Sequence, residues 1–377
     1  LHRRIALRII LATGTAPDRI ILGFMLATGF LSMWISNTAS SVMMTPIGMA
    51  VAFTLSGKPG GDDDNFGKAL MLAIAYSASI GGMSSLIGTP TNLIFASAAS
   101  EIFNIEVTFQ QWLRIGLPVG IILISFIWFY LTRIAFSFNH QSGEAGRAAI
   151  QEQYAALGKP STAEKRVALV FFLVALAWIS RSYLLKPIIP LINDTTIGLI
   201  GVFALFLLPS GEKDQHGNHY RLLDWPTVQG IPWGVLILIG GGLAIAAGFT
   251  ETDLAQYIGS QLEGLSALPF LLLLFLLVAS VNFLTEITSN MATTSIMMPI
   301  LAVTATAISV DPMILMVSAT IAAGCAFMLP IATPPNAVVF GSGYLTMGDM
   351  VRVGFRINIF SIVLIALLTY YYLPVVW

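Results

Sequence analysis

Two short polar clusters interrupt long apolar stretches of this chain. Ile35-Ser36-Asn37-Thr38-Ala39-Ser40-Ser41 lies inside the run Ile20–Leu55, and Thr288-Ser289-Asn290-Met291-Ala292-Thr293-Thr294 lies in the second half. Both run on to a proline, Pro46 and Pro299. Where one helix ends and another begins, the ending helix offers unpaired carbonyls and the negative end of its dipole. The starting helix offers unpaired N–H groups and the positive end. Carbonyls beside Ser, Thr and Asn oxygens suit a small hard cation, whereas N–H groups beside hydroxyl and amide donors suit an anion. Ser, Asn and Thr are also good N-caps for the second helix. Each cluster is thus equipped to hold a cation behind and a carboxylate in front.

The elements that must position these clusters follow from composition. At 56% hydrophobic, 10% charged and a mean hydropathy of +0.83, the chain reads as a polytopic helical membrane protein. No ten-residue alternation suggests an outer-membrane barrel. A net charge of −1 gives no field for nucleic acid, and the single Cys325 excludes an intrachain disulfide framework and a cysteine-based metal cluster. His2, His140, His216 and His219 all sit in polar connections, which argues against a histidine proton relay in the membrane.

Ile20–Leu55 is too long for one span and too short for two, so with a polar break at its middle it reads as a re-entrant hairpin. An interfacial amphipathic helix carrying Arg3, Arg4 and Arg8 precedes it, in residues 1–17. A polar loop, Gly57–Lys68, leads to a broken helix over 69–101, interrupted at Gly88-Thr89-Pro90-Thr91-Asn92, and then a plain span over 112–136. After a polar connection at 137–165 come spans within 166–249, with a polar loop at 210–230 and a short interfacial segment at 251–264. The second hairpin covers 267–308, a second broken helix 313–345 is interrupted at Ala332-Thr333-Pro334-Pro335-Asn336, and a last span covers 350–377.

The order repeats. Ser36-Asn37 matches Ser289-Asn290, Thr89-Pro90-x-Asn92 matches Thr333-Pro334-x-Asn336, and Arg114-x-Gly116 matches Arg352-x-Gly354. Residues 1–136 form one repeat, 137–165 a cytoplasmic connection and 166–377 the other repeat. The Lys/Arg bias sets orientation: all of these residues except Arg114, Arg181 and Lys186 fall on the side of the 137–165 connection. The first hairpin then enters from inside and the second from outside, so the repeats are inverted, the architecture of a secondary transporter with its site at the repeat interface. By repeat symmetry the first repeat is N-terminally incomplete, with about 85–90 further residues expected ahead of it.

Charge accounting narrows the cargo. Away from helix ends, no Lys or Arg lies in the expected core, so a bound dianion would need a co-bound cation, and oxygen-rich tips poor in carboxylates suit Na+. Bland readings exist for each residue alone: Ser, Thr and Asn bond neighbouring membrane helices, and Pro90, Pro334 and Pro335 could be simple kinks. The paired repetition is what those readings do not explain. Glu286 has no acidic counterpart, since Met33 matches it, and either packs against a polar neighbour or acts as a protonatable coupling residue. Gly240-Gly241-Gly242 reads as close packing, and Asp62-Asp63-Asp64 as a solvated loop.

On Ser36-Asn37-Thr38 and Ser289-Asn290, the chain resembles the divalent-anion:sodium symporter family of di- and tricarboxylate transporters over its whole length. The resemblance implies a homodimer in which a transport domain moves against a scaffold as an elevator. It also implies one cation site from Ser32, Ser36, Asn37 and backbone near Gly88, and another from Thr285, Thr288, Asn290 and backbone near Ala332. Substrate carboxylates would meet Ser36, Asn37, Thr38, Ser289, Asn290, Thr333 and Pro334. Met291 stands where the family pattern has Thr, which bears on the choice between dicarboxylates and citrate-like substrates.

The expectation is therefore an all-α polytopic membrane protein with inverted repeats, a Na+-coupled importer of C4-dicarboxylates such as succinate, malate and fumarate, in the inner or plasma membrane. The rivals are a Na+-independent dicarboxylate exchanger of the same fold, a sulfate-type oxyanion symporter and a non-transporting sensor. An enzyme is disfavoured, because no nucleophile–base pair or metal-ligand cluster lies at core depth.

Overall fold

The computed structural model describes residues 1–56, 64–137, 144–213, 219–231, 233–252, 257 and 268–377. Asp62 and Asp63, His140, His216, the start of the second hairpin and most of the 251–264 segment lie outside these residues. The described helices are α1 His2–Thr13, α2 Pro17–Ser32, α3 Asn37–Ser56, α4 Asn65–Ser84, α5 Pro90–Phe103 and α6 Phe109–Tyr130. They continue with α7 Glu144–Ala156, α8 Thr162–Ser180, α9 Asp194–Leu207, α10 Trp225–Gln229 and α11 Trp233–Glu251. The C-terminal set is α12 Phe270–Thr285, α13 Asn290–Ala307, α14 Pro312–Ala323, α15 Pro334–Phe340, α16 Met347–Tyr371 and α17 Leu373–Val376. Short π-helical turns extend α6 over Leu131–Ala135 and α8 over Arg181–Leu185. Five helices among the described residues are long and apolar enough to cross a membrane: Asn37–Leu55, Asn65–Ser84, Phe109–Ala135, Thr162–Leu185 and Met347–Tyr371.

The hairpins α2/α3 and α12/α13 turn at 33–36 and 286–289, where the polar clusters lie. The limbs of the first are unequal, 16 and 20 residues. At 1.5 Å per residue the longer limb reaches about 30 Å, and it packs on the amphipathic α7.

The two halves pack by one scheme. In the first, α2 packs on α4 and α6, and α3 on α4; in the second, α12 packs on α14 and α16, and α13 on α14. Across the halves, α13 lies on α5 and α15 lies on α3. Each hairpin's returning limb therefore clasps the far piece of the other half's broken helix, so neither half can close its polar core alone.

Several boundaries differ from the sequence expectation, each for a local reason. Helix resumes at Pro90 and at Pro334, so the breaks are residues 85–89 and 324–333, upstream of the expected Gly88–Asn92 and Ala332–Asn336. Proline is tolerated in a first helical turn, where the missing N–H is unpaired anyway, so these prolines open helices and do not break them. The span expected from 112 begins at Phe109, because Thr108 and Gln111 form a reciprocal cap, with Gln111 N donating to Thr108 Oγ1 at 3.1 Å. The polar loop at 210–230 holds a small antiparallel pair, Pro209–Lys213 with His219–Arg221, which the all-α reading did not contain.

On the side of α7, Arg4 is 6% exposed and donates to the carbonyls of Gly158 (2.8 Å) and Leu157 (3.1 Å) and to Glu164 (3.1 Å). Arg8 donates to the Tyr154 hydroxyl at 2.7 Å, a bond that holds the pKa of that phenol below its usual value. These contacts staple α1 to the end of α7, where Gly158 takes the left-handed φ of 60°.

Candidate functional site

At the first tip, the Ser32 hydroxyl lies 2.8 Å from Asn37 Oδ1 and 2.6 Å from the Ala78 carbonyl. At the second, the Thr285 hydroxyl lies 2.6 Å from Asn290 Oδ1 and 3.1 Å from the Ala323 carbonyl. A hydroxyl has one proton to donate. Each tip thus gathers a hydroxyl, an amide and a backbone oxygen that share a single proton. Such a cluster is short of positive charge and matches the oxygen coordination that small hard cations take.

Helix ends bring these atoms together. Ser32 and Thr285 are the last residues of the entering limbs, Asn37 and Asn290 the first of the returning limbs. Ser36 caps α3, accepting from Ala39 N at 3.2 Å. The broken helices are held against the tips by a second matched pair. Asn92 Nδ2 donates to the Ser85 carbonyl (2.7 Å) and lies 3.3 Å from that of Gly82, while Asn336 Nδ2 donates to Leu329 (3.0 Å) and Ala326 (3.1 Å). The amide NH2 of each asparagine therefore ties its break together, adding to the turn bonds from Gly88 N to Ser85 O (3.3 Å) and from Ala332 N to Leu329 O (3.2 Å).

The repeated Arg-x-Gly also has a packing reason. A Cβ on Gly116 would sit 2.8 Å from the Ser84 carbonyl and 3.0 Å from that of Met83, and one on Gly354 would collide with the Phe327 carbonyl. In both halves a glycine lets the following helix lie directly on the break. Gly88 is closer still to a tip, since a Cβ there would be 2.5 Å from Gly82 O and 2.8 Å from Ser32 O.

The expected cation ligands therefore divide. Ser32, Asn37 and the Gly88 backbone meet at the first tip, and Thr285 and Asn290 meet at the second. The carbonyls of Ala78 and Ala323 join them, from positions the sequence reading had not singled out. Thr288 is exposed and engages Leu284 O (2.8 Å) and Thr293 Oγ1 (2.6 Å), and the Ala332 N–H donates to Leu329 O at 3.2 Å within the second break. Among the expected substrate contacts, Ser36, Thr38, Ser289 and Pro334 are exposed, whereas Thr333 is 4% exposed and caps α15 through Asn336 N at 3.3 Å.

Glu286 is 3% exposed. Its carboxylate accepts from Phe327 N (2.7 Å), Met328 N (2.9 Å), Leu329 N (3.0 Å) and Asn358 Nδ2 (2.7 Å). Of its two expected roles, the structure gives it polar neighbours, and these are mainly backbone. Asn282, Asn358 and Tyr76 complete the setting. Asn282 Nδ2 donates to Cys325 O at 2.7 Å, and the Tyr76 hydroxyl donates to Phe327 O at 2.9 Å. The sequence reading passed over all three. An asparagine inside an apolar helix was the available signal, because polar groups at membrane depth are expensive unless partnered.

A cavity of about 700 Å³ opens beside the first break, bounded by Leu86, Ile87, Leu93 and Ser97 on one side and by Trp178, Asp194 and Leu199 on the other. None of the tip residues lines it. At its rim Arg181, 1% exposed, pairs with Glu106 at 2.8 Å and Asp194 at 3.2 Å. Trp34 from the first tip stacks on Phe109 and meets Phe171 of α8 edge-on, with ring centroids 5.8 and 4.8 Å apart.

Comparison with known proteins bears on the fold and the family. The chain is 43% identical over 381 residues to the sodium-dependent dicarboxylate transporter SdcS of Staphylococcus saprophyticus, covering 99% of this chain and 73% of the relative. It is 40% identical over 383 residues to SdcS of Staphylococcus aureus USA300, covering 100% of this chain and 73% of that one. Two solved structures share the fold at 13% identity and 98% coverage of this chain. They are the YdaH transporter of Alcanivorax borkumensis, with a TM-score of 0.57 and 82% of that chain covered, and MtrF of Neisseria gonorrhoeae, with 0.64 and 77%. The family description "Sodium:sulfate symporter transmembrane region" matches residues 1–377. With a multi-span helical fold and no enzymatic role, the chain belongs to the sodium:sulfate symporter family of membrane transporters.

Proposed function

We propose that this protein is a Na+-coupled symporter of C4-dicarboxylates, such as succinate, malate and fumarate, in the cell membrane. The observation that carries this reading is the matched pair of proton-poor oxygen clusters, Ser32–Asn37–Ala78 and Thr285–Asn290–Ala323. Each can take a cation, and the positive charge so gathered offsets a dianion that, among the described residues, meets no Lys or Arg at either tip. The relatives named sodium-dependent dicarboxylate transporters favour the same cargo. Sodium is here a co-transported substrate and not a resident cofactor.

In this reading Ser32, Ser36, Asn37 and Gly88 hold one Na+, and Thr285, Thr288, Asn290 and Ala332 hold the other. Substrate carboxylates meet Ser36, Asn37, Thr38, Ser289, Asn290, Thr333 and Pro334. Residues 1–136 and 166–377 act as inverted repeats joined by a cytoplasmic connection, and the protein works as a homodimer by an elevator movement. The side chain ion pairs support this orientation. Lys68 with Asp349, Arg133 with Asp18 and Arg4 with Glu164 join segments assigned to the cytoplasmic face, and Arg181 with Glu106 and Asp194 joins segments assigned to the other.

Succinate uptake into proteoliposomes, under an inward Na+ gradient and then with choline replacing Na+, tests the proposal. Uptake that requires the gradient supports it. Na+-independent uptake that needs internal dicarboxylate makes the protein an exchanger, and sulfate uptake unaffected by succinate makes it an oxyanion symporter.

A further inference from the structure

The second break is held by one side chain in a way the first is not. Helix α4 runs to Ser84, whereas α14 stops at Ala323. By the correspondence of Asn92 with Asn336, the stretch from Gly324 to Met328 matches residues that are still helical in the first half. The N–H groups of Gly324 and Cys325 still donate to the carbonyls of Ile321 and Ala322, at 3.0 Å each, but those of Phe327 and Met328 turn to a side chain. Unpaired backbone at membrane depth is tolerated only where protein supplies partners. The Glu286 carboxylate supplies them, gripping three successive N–H groups, those of Phe327, Met328 and Leu329, in an anion-binding concavity. At the matching first-half position stands Met33, and there the contact is reversed in character, with the Ser85 hydroxyl donating to the Met33 carbonyl.

Position gives this clamp a consequence for the cation. Glu286 directly follows Thr285, whose hydroxyl centres the second oxygen cluster. The segment it grips begins four residues after Ala323, whose carbonyl completes that cluster. One carboxylate thus ties the hydroxyl side of the cluster to its carbonyl side, and Asn358 of α16 fixes the carboxylate in turn at 2.7 Å. We propose that Glu286 is a positioning residue for the second cation site: by holding the N–H groups of residues 327–329 it sets the spacing of the Thr285, Asn290 and Ala323 oxygens. This rests on the reading of the tips as Na+ sites.

The test compares wild type with Glu286→Gln in the full-length protein. An amide offers one acceptor oxygen and presents an NH2 to N–H groups, so the grip on residues 327–329 opens. Amide hydrogen exchange should show protection lost at 327–329 and unchanged at residues 80–84. The Na+ concentration giving half-maximal succinate uptake should rise by about tenfold or more, the scale of losing a residue that orients a metal ligand. The Km for succinate at saturating Na+ should stay within about twofold, an equal-binding control in the sense of separating binding from turnover. Unchanged Na+ half-saturation, or a shift confined to the succinate Km, overturns the proposal. If Glu286→Gln does not assemble, Glu286→Asp carries the same comparison, because a carboxylate one methylene shorter cannot span all three N–H groups. Wild-type uptake that ignores Na+ refutes the Na+ reading of the tips and this proposal with it. A Na+-dependent wild type with an unaltered variant refutes the positioning role alone.

Discussion

The two halves solve the same problem at different expense of side chains. In the first half the broken helix is interrupted only over 85–89, and its entering limb keeps its own hydrogen bonds to the edge of the gap. In the second the gap runs over 324–333, and Glu286, Asn282, Asn336 and Tyr76 replace the helical bonds one by one. Both broken helices nonetheless bring a backbone carbonyl, Ala78 from within α4 and Ala323 from the end of α14, to a Ser/Thr hydroxyl that also meets an Asn oxygen. What the two halves share is therefore the oxygen cluster, while the scaffolding behind it differs. Tyr76 of α4 reaches across to the second gap, so the more regular half buttresses the less regular one.

If the clusters are equivalent in function, removing the amide from either should have the same large effect. Asn37→Ala and Asn290→Ala are each expected to lower Na+-driven uptake by about a hundredfold, at the upper end of losses seen at metal sites, with the folded protein retained on size exclusion. Near-normal transport in one of them would break the comparison by showing that only one tip serves the ions.

Gly88 and Ala332 sharpen it. The sequence pairs them, yet the first site has no room for a methyl group, which would lie 2.5 Å from Gly82 O and 2.8 Å from Ser32 O. Gly88→Ala should raise the Na+ half-saturation by about tenfold, because close-packed interiors cannot absorb such an overlap without shifting. Ala332→Gly should leave it within about twofold, since that change adds no overlap. Equal effects from the two would mean that the close approach at Gly88 is not what shapes the first site.

A smaller effect is expected from Tyr76→Phe, which strands the buried Phe327 carbonyl. The loss should be about 1–3 kcal/mol of stability, read as a lowered Tm in detergent, with the first break's amide protection unchanged. The smallest concerns the cargo. Met291→Thr adds a hydroxyl to the second tip and should shift the ratio of succinate to citrate affinity by about three- to tenfold, short of what one group changed in a closed pocket gives, because Met291 is only half-buried. An unchanged ratio would remove position 291 from contact with substrate.

Much of this was legible along the chain. The polar clusters in apolar runs, their paired spacing and the Lys/Arg bias are one-dimensional signals, and each has a local physical cause: helix ends, caps and transfer energies. Ser32 with Asn37, and Thr285 with Asn290, are implied by the family resemblance and aligned by the repeat, and the structure brings each pair together across a tight turn. The limits of the breaks were misplaced because proline reads as an interruption, although it favours the first turn of a helix. Only the tertiary structure decided which distant backbone completes each cluster. It brought the Ala78 and Ala323 carbonyls to the tips, laid Gly116 and Gly354 on the breaks, and turned Glu286 toward three N–H groups some forty positions away in sequence. Those pairings depend on how long each helix persists before its gap and on which face it then presents. Packing between the two halves sets both, and no window of the sequence contains them.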